Sequence, residues 1–231
     1  MSDPQPPSDL PTPYPCALCG STDTRLWHVE TRKPLVGREF HHCLKCQGVF
    51  VPPQFHISPV EELAIYQQHE NSPDDLGYRR FLSRTLDAVL PWLPERAHGL
   101  DFGSGPGPVL GIMFAEHGHQ CSNYDLYFAN QPERLQTQYD FVTSTEVIEH
   151  LADPLPVFAQ MFACLKPTGV LAVMTQKPTT LQAFSHWQYI LDPTHITFYR
   201  DPTFDWISQH FRAPIVHRGR DVIVFQSSLG D

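Results

Sequence analysis

The stretch over residues 100–118, LDFGSGPGPVLGIMFAEHG, constrains the fold of this chain more than any other. Apolar residues lie on both sides of a loop that contains Gly103, Gly105 and Gly107. Glycine allows a backbone to reach positive φ and to approach a ligand closely. The pattern predicts a short strand, a glycine loop and then a helix that ends at about His117, with the next glycine as its cap.

The rest of the chain from residue 98 alternates between strand and helix patterns. The predicted elements are a strand over 98–102, the helix just described, a strand ending at Asp125, a strand over 139–145, a helix beginning at Asp153-Pro154, a strand over 170–175, a helix beginning at Asp201-Pro202, and a hairpin that turns near Arg218-Gly219. Such alternation is typical of helices that connect parallel strands. We therefore expect an α/β fold with a doubly wound, mainly parallel sheet and helices on both faces.

The first 97 residues divide into three predicted parts. Residues 1–14 are rich in proline and poor in core-forming side chains, which predicts a disordered tail. Residues 15–53 lack helical periodicity and are expected to form a small separate module. Residues 54–97 are expected to be a helical lead-in, or lid, to a larger domain over 98–231.

Two helices are predicted within residues 54–97. The sequence SPVE at 58–61 is a capping box with proline in the first turn, and its helix is expected to reach about His69. Apolar positions return at helical spacing from Tyr78 onward. Two prolines, at 91 and 94, should end or bend this second helix.

Four of the six cysteines form a metal-binding pattern. Cys16, Cys19, Cys43 and Cys46 follow the spacing C-x2-C-x23-C-x2-C, and four thiolates on two tight turns can surround one tetrahedral Zn²⁺. A module of about 40 residues has too little core to fold alone, so the metal would supply stability. Residues 15–53 are thus predicted to be a zinc ribbon with a structural zinc and no open coordination position.

Charge and hydropathy narrow the expected partners. The formal net charge is −9 and no long basic run occurs, which argues against binding to duplex DNA. No apolar run reaches the roughly 18 residues of a membrane span. The first residues also lack the basic start and apolar stretch of a signal peptide. The expectation is a cytoplasmic protein without a membrane partner.

Two acids near the glycine loop indicate which ligand it binds. Asp125 lies 20 residues after Gly105, where a carboxylate can accept hydrogen bonds from both hydroxyls of a ribose. Asp101 would repel a pyrophosphate and suits an amino group. The third glycine of the loop, Gly107, comes one residue earlier than in the G-x-G-x-x-G of dinucleotide-binding folds. These features argue against a nucleotide-dependent oxidoreductase and favour S-adenosylmethionine, which has an α-amino group and no phosphate.

Four stretches resemble the successive motifs of class I S-adenosylmethionine-dependent methyltransferases. They are LDFGSGPG at 100–107, YD at 124–125, YDFVTSTEVIEHLADP at 139–154 and LKPTGVLAVMT at 165–175. The similarity is to the branch that includes ubiquinone-pathway O-methyltransferase-like proteins, and it covers roughly residues 76–231. It implies a Rossmann-like methyltransferase domain behind the zinc ribbon.

The resemblance also implies which residues bind the cofactor. They are Gly103 and Gly105 beside its methionine part, Asp101 near its amino group, Asp125 at the ribose, and Thr145 and Glu146 facing the methyl donor. Only 13 residues separate Asp125 from Tyr139, where the family usually fits a helix, a further strand and an adenine-contacting loop. Leu126 and Tyr127 are the candidates for adenine contacts in this shorter connection.

The sequence TEVIEHLADP brings acids and a histidine together. If a helical turn begins here, Glu146 and Glu149 share a face and His150 lies four residues from Glu146. Two carboxylates and an imidazole can hold a divalent cation. The same E-x-x-E-H arrangement binds metal in some relatives, whereas in many others it caps and orients the loop. The sequence leaves both roles open.

A second candidate segment is HWQYILDPTHITFYR, at 186–200. His195 could act as a general base on a hydroxyl or amine, or complete the metal site with Glu146, Glu149 and His150. The aromatic residues of the segment could wall a pocket; they are Trp187, Tyr189, Phe198 and Tyr199. The alternative is an ordered loop histidine among core aromatics. Tyr66 and His69, in the predicted lid, could face the same site.

The leading functional hypothesis is an enzyme that moves a methyl group from S-adenosylmethionine to a small or carrier-bound acceptor. Its proposed catalytic residues are His195, Glu146 and His150. Two alternatives are a catalytically inactive protein that uses the cofactor fold and zinc ribbon for binding, and an RNA methyltransferase. The sequence does not distinguish methylation at oxygen, nitrogen or carbon, or fix the oligomeric state.

Overall fold

A computed structural model describes residues 14–68, 70–178 and 180–228 of the chain. Most of the predicted tail, residues 1–13, therefore lies outside the described residues, as do His69 and the last three residues of the chain. Tyr14, the last residue of the predicted tail, is held against the small module, because its carbonyl accepts a 2.7 Å hydrogen bond from the Thr24 hydroxyl.

Ten strands and six α-helices follow one another along the described residues. They are β1 (Thr24–Val29), β2 (Glu39–Cys43), β3 (Val49–Phe50), α1 (Pro59–Tyr66), α2 (Leu76–Val89), β4 (His98–Phe102), α3 (Val109–Glu116), β5 (Gln120–Tyr124), β6 (Tyr139–Thr145), α4 (Pro154–Ala163), β7 (Leu165–Met174), α5 (Leu181–His186), β8 (Thr197–Phe198), α6 (Asp201–Phe211), β9 (Ile215–Arg218) and β10 (Val222–Gln226). Short 3₁₀ turns, such as Pro132–Gln136 and Ile148–His150, connect some of them.

Six strands form the main sheet, in the order β5-β4-β6-β7-β10-β9. The pairings β4–β5, β4–β6 and β6–β7 are parallel, whereas β10 is antiparallel to both of its neighbours. A parallel strand needs a crossover connection, and α3 and α4 supply two of them. This arrangement confirms the predicted α/β fold with a mainly parallel sheet.

Alternation along β7 explains why both faces of the sheet carry helices. Val170, Ala172 and Met174 belong to the core under α2 and α3, whereas Leu171 and Val173 belong to the core under α4 and α6. Successive side chains of a strand point to opposite faces, so a strand that is apolar throughout must be covered on both. All of these side chains are buried, which is the doubly wound packing that the sequence predicts.

The second sheet has four strands, in the order β1-β2-β3-β8. Its first three strands come from the predicted zinc ribbon, but β8 comes from residues 197–198, beyond the main parallel strands. Phe40, Phe184 and Phe198 pack together beneath this sheet, with ring centroids 5.1–5.7 Å apart. The small module therefore shares a sheet and a core with the segment that follows α5.

Most predicted elements are confirmed, and three differences have a local cause. The connection after Asp125 contains an isolated bridge to Ala129 and a 3₁₀ turn, as its short length allows. Strand β7 begins at Leu165 rather than at 170, because the LKPTG turn is itself hydrogen-bonded into the ladder with β6. Helix α5 is not predicted from sequence; Thr180 caps it by accepting a hydrogen bond from the Ala183 N–H.

Among the helices of the described residues, none has the length and apolar character that a membrane span requires.

Candidate active site

A cavity of about 790 Å³ opens at the carboxyl ends of β4, β5 and β6. Its lining comes from residues 101–107 at the end of β4, 124–128 at the end of β5, and 145–147 and 150–152 at the end of β6, together with parts of 62–82 and 192–195. Ligands of open α/β sheets bind at this edge because the loops converge there. The size lies within the usual range of small-molecule sites. We call residues 101–107 and 124–128 the glycine wall, and residues 187–198 the histidine segment.

Two glycines of the glycine wall have backbone conformations that other residues rarely adopt. Gly103 has a φ of +79°, and a Cβ there would lie 2.4 Å from a methyl carbon of Val147. Gly105 has a φ of +64°, and its N–H donates to Asp125 Oδ2 at 2.9 Å. Gly103 therefore requires glycine and Gly105 favours it, and the loop leaves its backbone against the cavity.

Asp125 holds the two loops of the glycine wall together. One carboxylate oxygen accepts the Gly105 N–H, and the other accepts the N–H groups of Tyr127 and Phe128 at 2.8 and 3.0 Å. A carboxylate has about four acceptor positions, so it can still accept bonds from a ligand. The side chain therefore lies against the cavity in a fixed orientation.

Asp101 is a buried acid at the base of the same wall. It is 5 % exposed, and Thr143 donates a 2.9 Å hydrogen bond to its Oδ1. Burial raises the pKa of Asp101 to about 6, and the charge of Asp125 adds to that effect. The described residues offer Asp101 no ion pair. A cationic group of a ligand would supply the missing countercharge.

Two acids meet beyond the end of β6. Glu146 has a φ of +51°, so the helical turn begins only at Ile148 and the two acids do not share a helical face. The Tyr189 hydroxyl oxygen nevertheless lies within hydrogen-bonding distance of both carboxylates, 3.1 Å from Glu146 and closer to Glu149. Burial raises the pKa of Glu146 to about 7, and burial with the charge of Glu146 raises that of Glu149 well above its ordinary value.

Two histidines lie next to the acid pair, each oriented by a backbone carbonyl. His150 Nδ1 lies 3.2 Å from the Thr194 carbonyl, and His195 Nδ1 lies 2.7 Å from the Tyr189 carbonyl. A carbonyl only accepts, so each Nδ1 carries the proton and each Nε2 is the acceptor of the neutral ring. Burial lowers the pKa of His195, although the nearby Asp192 charge opposes the shift.

One potential ligand atom from each of Glu149, His150 and His195 lies within 4.8 Å of the other two. Glu149 Oε2 is buried and lacks a hydrogen-bond partner among the described residues. A buried carboxylate oxygen without a partner, beside two carbonyl-oriented imidazoles, is the donor set expected for a transition metal or similar cation. Glu146, which the sequence hypothesis included, is not part of this group of three.

Helix α1 covers one side of the cavity. The Tyr66 ring lies edge-on to His150 at 5.4 Å, and its hydroxyl donates to Glu62 at 2.7 Å. Tyr127 reaches the same acid from the glycine wall, with its hydroxyl 3.2 Å from Glu62. Tyr66 thus lines the cavity, whereas the second predicted lid residue, His69, lies outside the described residues.

The aromatic residues predicted at 186–200 to wall a pocket are absent from the lining of this cavity. Phe198 and Tyr199 are almost fully buried in the cores, and Trp187 stacks on Tyr189 at 4.7 Å. These aromatic residues anchor the backbone that positions His195. The carbonyl of Tyr189 holds the Nδ1 of His195. Predicted site residues that do line the cavity include Leu126, 60 % exposed at the rim, and Thr145.

The four predicted zinc ligands come together in the small module. Their sulfurs all lie within 4.8 Å of one another, with Cys16–Cys46 and Cys19–Cys43 separated by 3.5 Å. These separations exceed the roughly 2.05 Å of a disulfide and approach the spacing of about 3.8 Å implied by Zn–S bonds near 2.3 Å. The residues therefore fit a tetrahedral Zn²⁺, which would stabilise the module.

The two cysteine turns have the same backbone design. Gly20 N–H donates to the Cys16 carbonyl at 2.9 Å, and Gln47 N–H donates to the Cys43 carbonyl at 3.0 Å. Both donors have positive φ, +68° for Gly20 and 63° for Gln47. At the second turn the left-handed residue is thus Gln47, not the glycine that follows it.

A sequence profile described as "Methyltransferase domain" matches residues 75–212, more than half of the 231 residues. The chain belongs to this family. The matched residues run from the start of α2 to the end of α6 and include the glycine wall, the acid pair and both histidines. The resemblance to class I S-adenosylmethionine-dependent methyltransferases is thereby confirmed.

Curated relatives match a smaller part of this methyltransferase. The Ubiquinone biosynthesis O-methyltransferase of Pseudomonas savastanoi pv. phaseolicola is 31% identical over 71 residues, which is 31% of either chain. The protein of the same description from Histophilus somni is 28% identical over 97 residues, 40% of this chain and 39% of its own. The methyltransferase therefore aligns with about a third of the length of these relatives.

Solved structures share the fold at low sequence identity. The PH0226 protein of Pyrococcus horikoshii OT3 has a TM-score of 0.51 and 12% identity, over 71% of this methyltransferase and 98% of that chain. An O-methyltransferase family protein from Burkholderia thailandensis has a TM-score of 0.50 and 14% identity, over 74% and 64%. These likenesses concern the fold alone.

The structure adds cavity residues that sequence reasoning missed. Asn71 lies over the glycine loop, and Asp192 accepts the N–H and hydroxyl of Thr194 next to His195. Asn71 lies between the first predicted lid helix and the start of the second. That position is the sequence signal that could have marked it as a candidate. Asp192 and Thr194 had none, because their place depends on the contact between the histidine segment and the small module.

Proposed function

We propose that this protein transfers a methyl group from S-adenosylmethionine to a hydroxyl of a small or carrier-bound acceptor. One observation carries the proposal: a single cavity joins the glycine wall to two imidazoles, the half-buried His150 and the buried His195, whose Nδ1 atoms are both held by carbonyls. S-adenosylmethionine supplies the electrophilic methyl group on a sulfonium. The residues of the chain would bind the cofactor, orient the acceptor and remove the proton from its hydroxyl.

The glycine wall is proposed to bind the cofactor. Asp101 would pair with the amino group, because it is a buried carboxylate without an ion pair among the described residues. Asp125 would accept the ribose hydroxyls, because backbone N–H groups already hold its carboxylate in place. Gly103 and Gly105 leave room for close approach. Leu126 at the rim, with Thr145 and Glu146 across the cavity, are proposed to complete the pocket.

The opposite side of the cavity is proposed to handle the acceptor. His195 is neutral near pH 7, since burial lowers its pKa, and its Nε2 can accept a proton from a hydroxyl. A divalent cation held by Glu149, His150 and His195 would instead lower the pKa of a bound hydroxyl. Either way, Glu146 and Tyr189 orient the site through the hydrogen bond that they share. The preference for oxygen is consistent with the O-methyltransferases to which the chain is similar.

The four-cysteine cluster is proposed to hold a structural zinc. Cys16, Cys43 and Cys46 are at most 4 % exposed and Cys19 is half-buried, so the cluster offers no access to a substrate. Its sulfurs occupy all four positions of a tetrahedral site. The zinc would act through the fold, and metal analysis of the purified chain should find about one zinc per chain.

Binding measurements with two probes test the proposal. Calorimetry should detect S-adenosylhomocysteine binding that NADH does not displace, and Mn²⁺ titration should detect a site that Glu149→Gln removes without changing S-adenosylhomocysteine affinity. A panel of phenols, alcohols and amines, each incubated with labelled S-adenosylmethionine, would then show label only in hydroxyl compounds.

The outcomes separate the proposed roles. Failure to bind S-adenosylhomocysteine contradicts the cofactor assignment. Retained Mn²⁺ binding in Glu149→Gln contradicts the cation site while leaving His195 as a base. Label in amines alone contradicts the choice of oxygen. Tight cofactor binding with no methylated product from any class of acceptor, RNA included, favours the inactive binding protein.

A further inference from the structure

The zinc module and the histidine segment are connected by a buried arginine. Arg38 lies just before β2, is 3 % exposed, and extends its guanidinium out of the module. It donates to the carbonyls of Asp192, Pro193 and His195, at 3.0, 3.2 and 2.8 Å. These partners lie 154–157 residues away in the sequence.

Burying the charged side chain of Arg38 has an energetic cost, and its contacts compensate for that cost. Burial lowers the pKa of Arg38 to about 10, with the Asp192 charge opposing the shift. A buried guanidinium is tolerated only when hydrogen bonds and a nearby negative charge compensate for lost water. Three backbone carbonyls and Asp192 supply that compensation here. A fork of donors at fixed angles also fixes the positions of the carbonyls that it binds.

Other contacts join the same two regions. Val51 N–H donates to the Ile196 carbonyl at 2.8 Å, and β3 pairs with β8 directly after His195. Arg32, paired with the buried Glu30, donates to the Trp187 carbonyl at 3.2 Å. The module thus contacts the histidine segment near its start, in its middle and at its end.

We propose that Arg38 is a positioning residue for His195, so that the zinc module forms the outer support of the catalytic site. The geometry explains how: Arg38 holds the carbonyl of His195, and the Nδ1 of the same residue is held by Tyr189. With both ends fixed, the imidazole stays beside His150, with the two ring centroids 4.8 Å apart, and its Nε2 lies 3.8 Å from Asp192 Oδ2. This inference rests on the proposed function for the role of His195, but the positioning itself does not.

The test compares Arg38→Met, Arg38→Lys and a control, Arg25→Met, in the full chain with its zinc bound. Arg25 is an exposed arginine on β1 of the same module. Hydrogen exchange followed by mass spectrometry is the first readout. We expect amides of residues 187–199 to exchange about tenfold faster in Arg38→Met, those of the glycine wall to remain unchanged, and Arg25→Met to match the parent.

Mn²⁺ affinity is the second readout, with S-adenosylhomocysteine affinity as its internal reference. Loss of a residue that orients metal ligands typically costs 10–100-fold in metal affinity. We expect about a tenfold loss for Arg38→Met, about threefold for Arg38→Lys, and cofactor affinity within twofold of the parent in both. Lysine keeps the charge, but its three donors lie on one nitrogen and do not form the planar fork that reaches these three carbonyls.

Several results would overturn the inference. One is exchange in 187–199 that Arg38→Met leaves within twofold of the parent. Another is exchange that rises equally in the glycine wall, since that indicates general loosening. If Arg38→Met does not fold, unchanged exchange in Arg38→Lys has the same force. A parent protein that binds no Mn²⁺ contradicts the proposed cation site only, because the exchange readout still decides the positioning role.

Discussion

The glycine wall and the histidine segment form opposite sides of one cavity but are built in different ways. The glycine wall consists of two loops that directly follow adjacent parallel strands, and Asp125 joins them through hydrogen bonds to Gly105 and Tyr127. The histidine segment follows no parallel strand. It is held on one side by Arg38, Val51 and the β3–β8 pairing, which involve the small module, and on the other by bonds to the loop after β6, from the Ile196 N–H to the Glu149 carbonyl and from His150 to the Thr194 carbonyl.

This difference predicts which parts of the site should lose their structure together and which should not. The central sheet alone positions the glycine wall, so damage to the zinc module should leave cofactor binding intact. The histidine segment also depends on contacts from the small module, which the proposed zinc would stabilise. Variants that affect one side and not the other therefore test the comparison directly.

The largest expected effect is loss of the zinc. Cys46→Ser should abolish zinc binding, which in zinc-finger peptides contributes about 10–16 kcal/mol. The histidine segment should then lose its protection against hydrogen exchange, while residues 98–125 keep theirs. Zinc analysis and exchange mass spectrometry measure the two effects. Cys121→Ser, a change outside the cluster, should retain zinc and serves as the control; equal zinc in Cys46→Ser would refute the tetrahedral site.

A smaller effect, on the other side of the cavity, is expected from a substitution in the glycine wall. Asp125→Ala removes a carboxylate that also joins two loops, so S-adenosylhomocysteine affinity should fall by about 2–3 kcal/mol, or roughly 30- to 150-fold. Calorimetry measures this loss, and Mn²⁺ affinity should stay within twofold. Asp140→Ala is a matched control, because Asp140 accepts the His98 N–H at the opposite end of the sheet. Unchanged cofactor affinity in Asp125→Ala would remove the ribose assignment.

A pH effect should arise from Asp101. Its pKa is raised to about 6, so the carboxylate that would pair with a cationic amino group forms only as the pH rises through 6. S-adenosylhomocysteine affinity should therefore increase about tenfold between pH 5 and 7 and then level off. In the ligand-free protein the effect on folding has the opposite sign. Because the pKa of Asp101 is raised, the free energy of unfolding falls as the pH rises from about 4 past 6. Calorimetry at several pH values measures the profile, and an equally steep profile in Asp101→Asn would contradict the assignment.

The smallest effect concerns helix α1, which covers one side of the cavity. Ser58 and Glu61 form the capping box of this helix. Ser58→Ala should cost about 1 kcal/mol locally, and residues 59–66 should exchange about fivefold faster. Ser83→Ala, on the exposed side of α2, is the control. Unchanged exchange over 59–66 would mean that contacts across the cavity, such as Tyr127–Glu62 and Tyr66–His150, rather than the cap, hold the helix in place.

Sequence patterns predicted the parts of this fold that depend on neighbouring residues. The strands over 98–102 and 139–145 have the predicted bounds, and the capping box at Ser58 forms as expected. The four cysteines converge because each pair lies on its own tight turn. A helical turn at Glu146, which the sequence left as a condition, does not form: its φ is +51° and its N–H donates to the Met174 carbonyl, a contact between residues 28 positions apart.

The sequence by itself determined the α/β class, the four-cysteine cluster and the residues of the glycine wall. Those features follow from periodicity, turn residues and short spacings, which act over a few residues. Only the tertiary structure decided that β8 completes the sheet of the zinc module and that Arg38 holds His195. Contacts across more than 150 residues depend on how two cores pack together, and that packing leaves no local pattern in the chain.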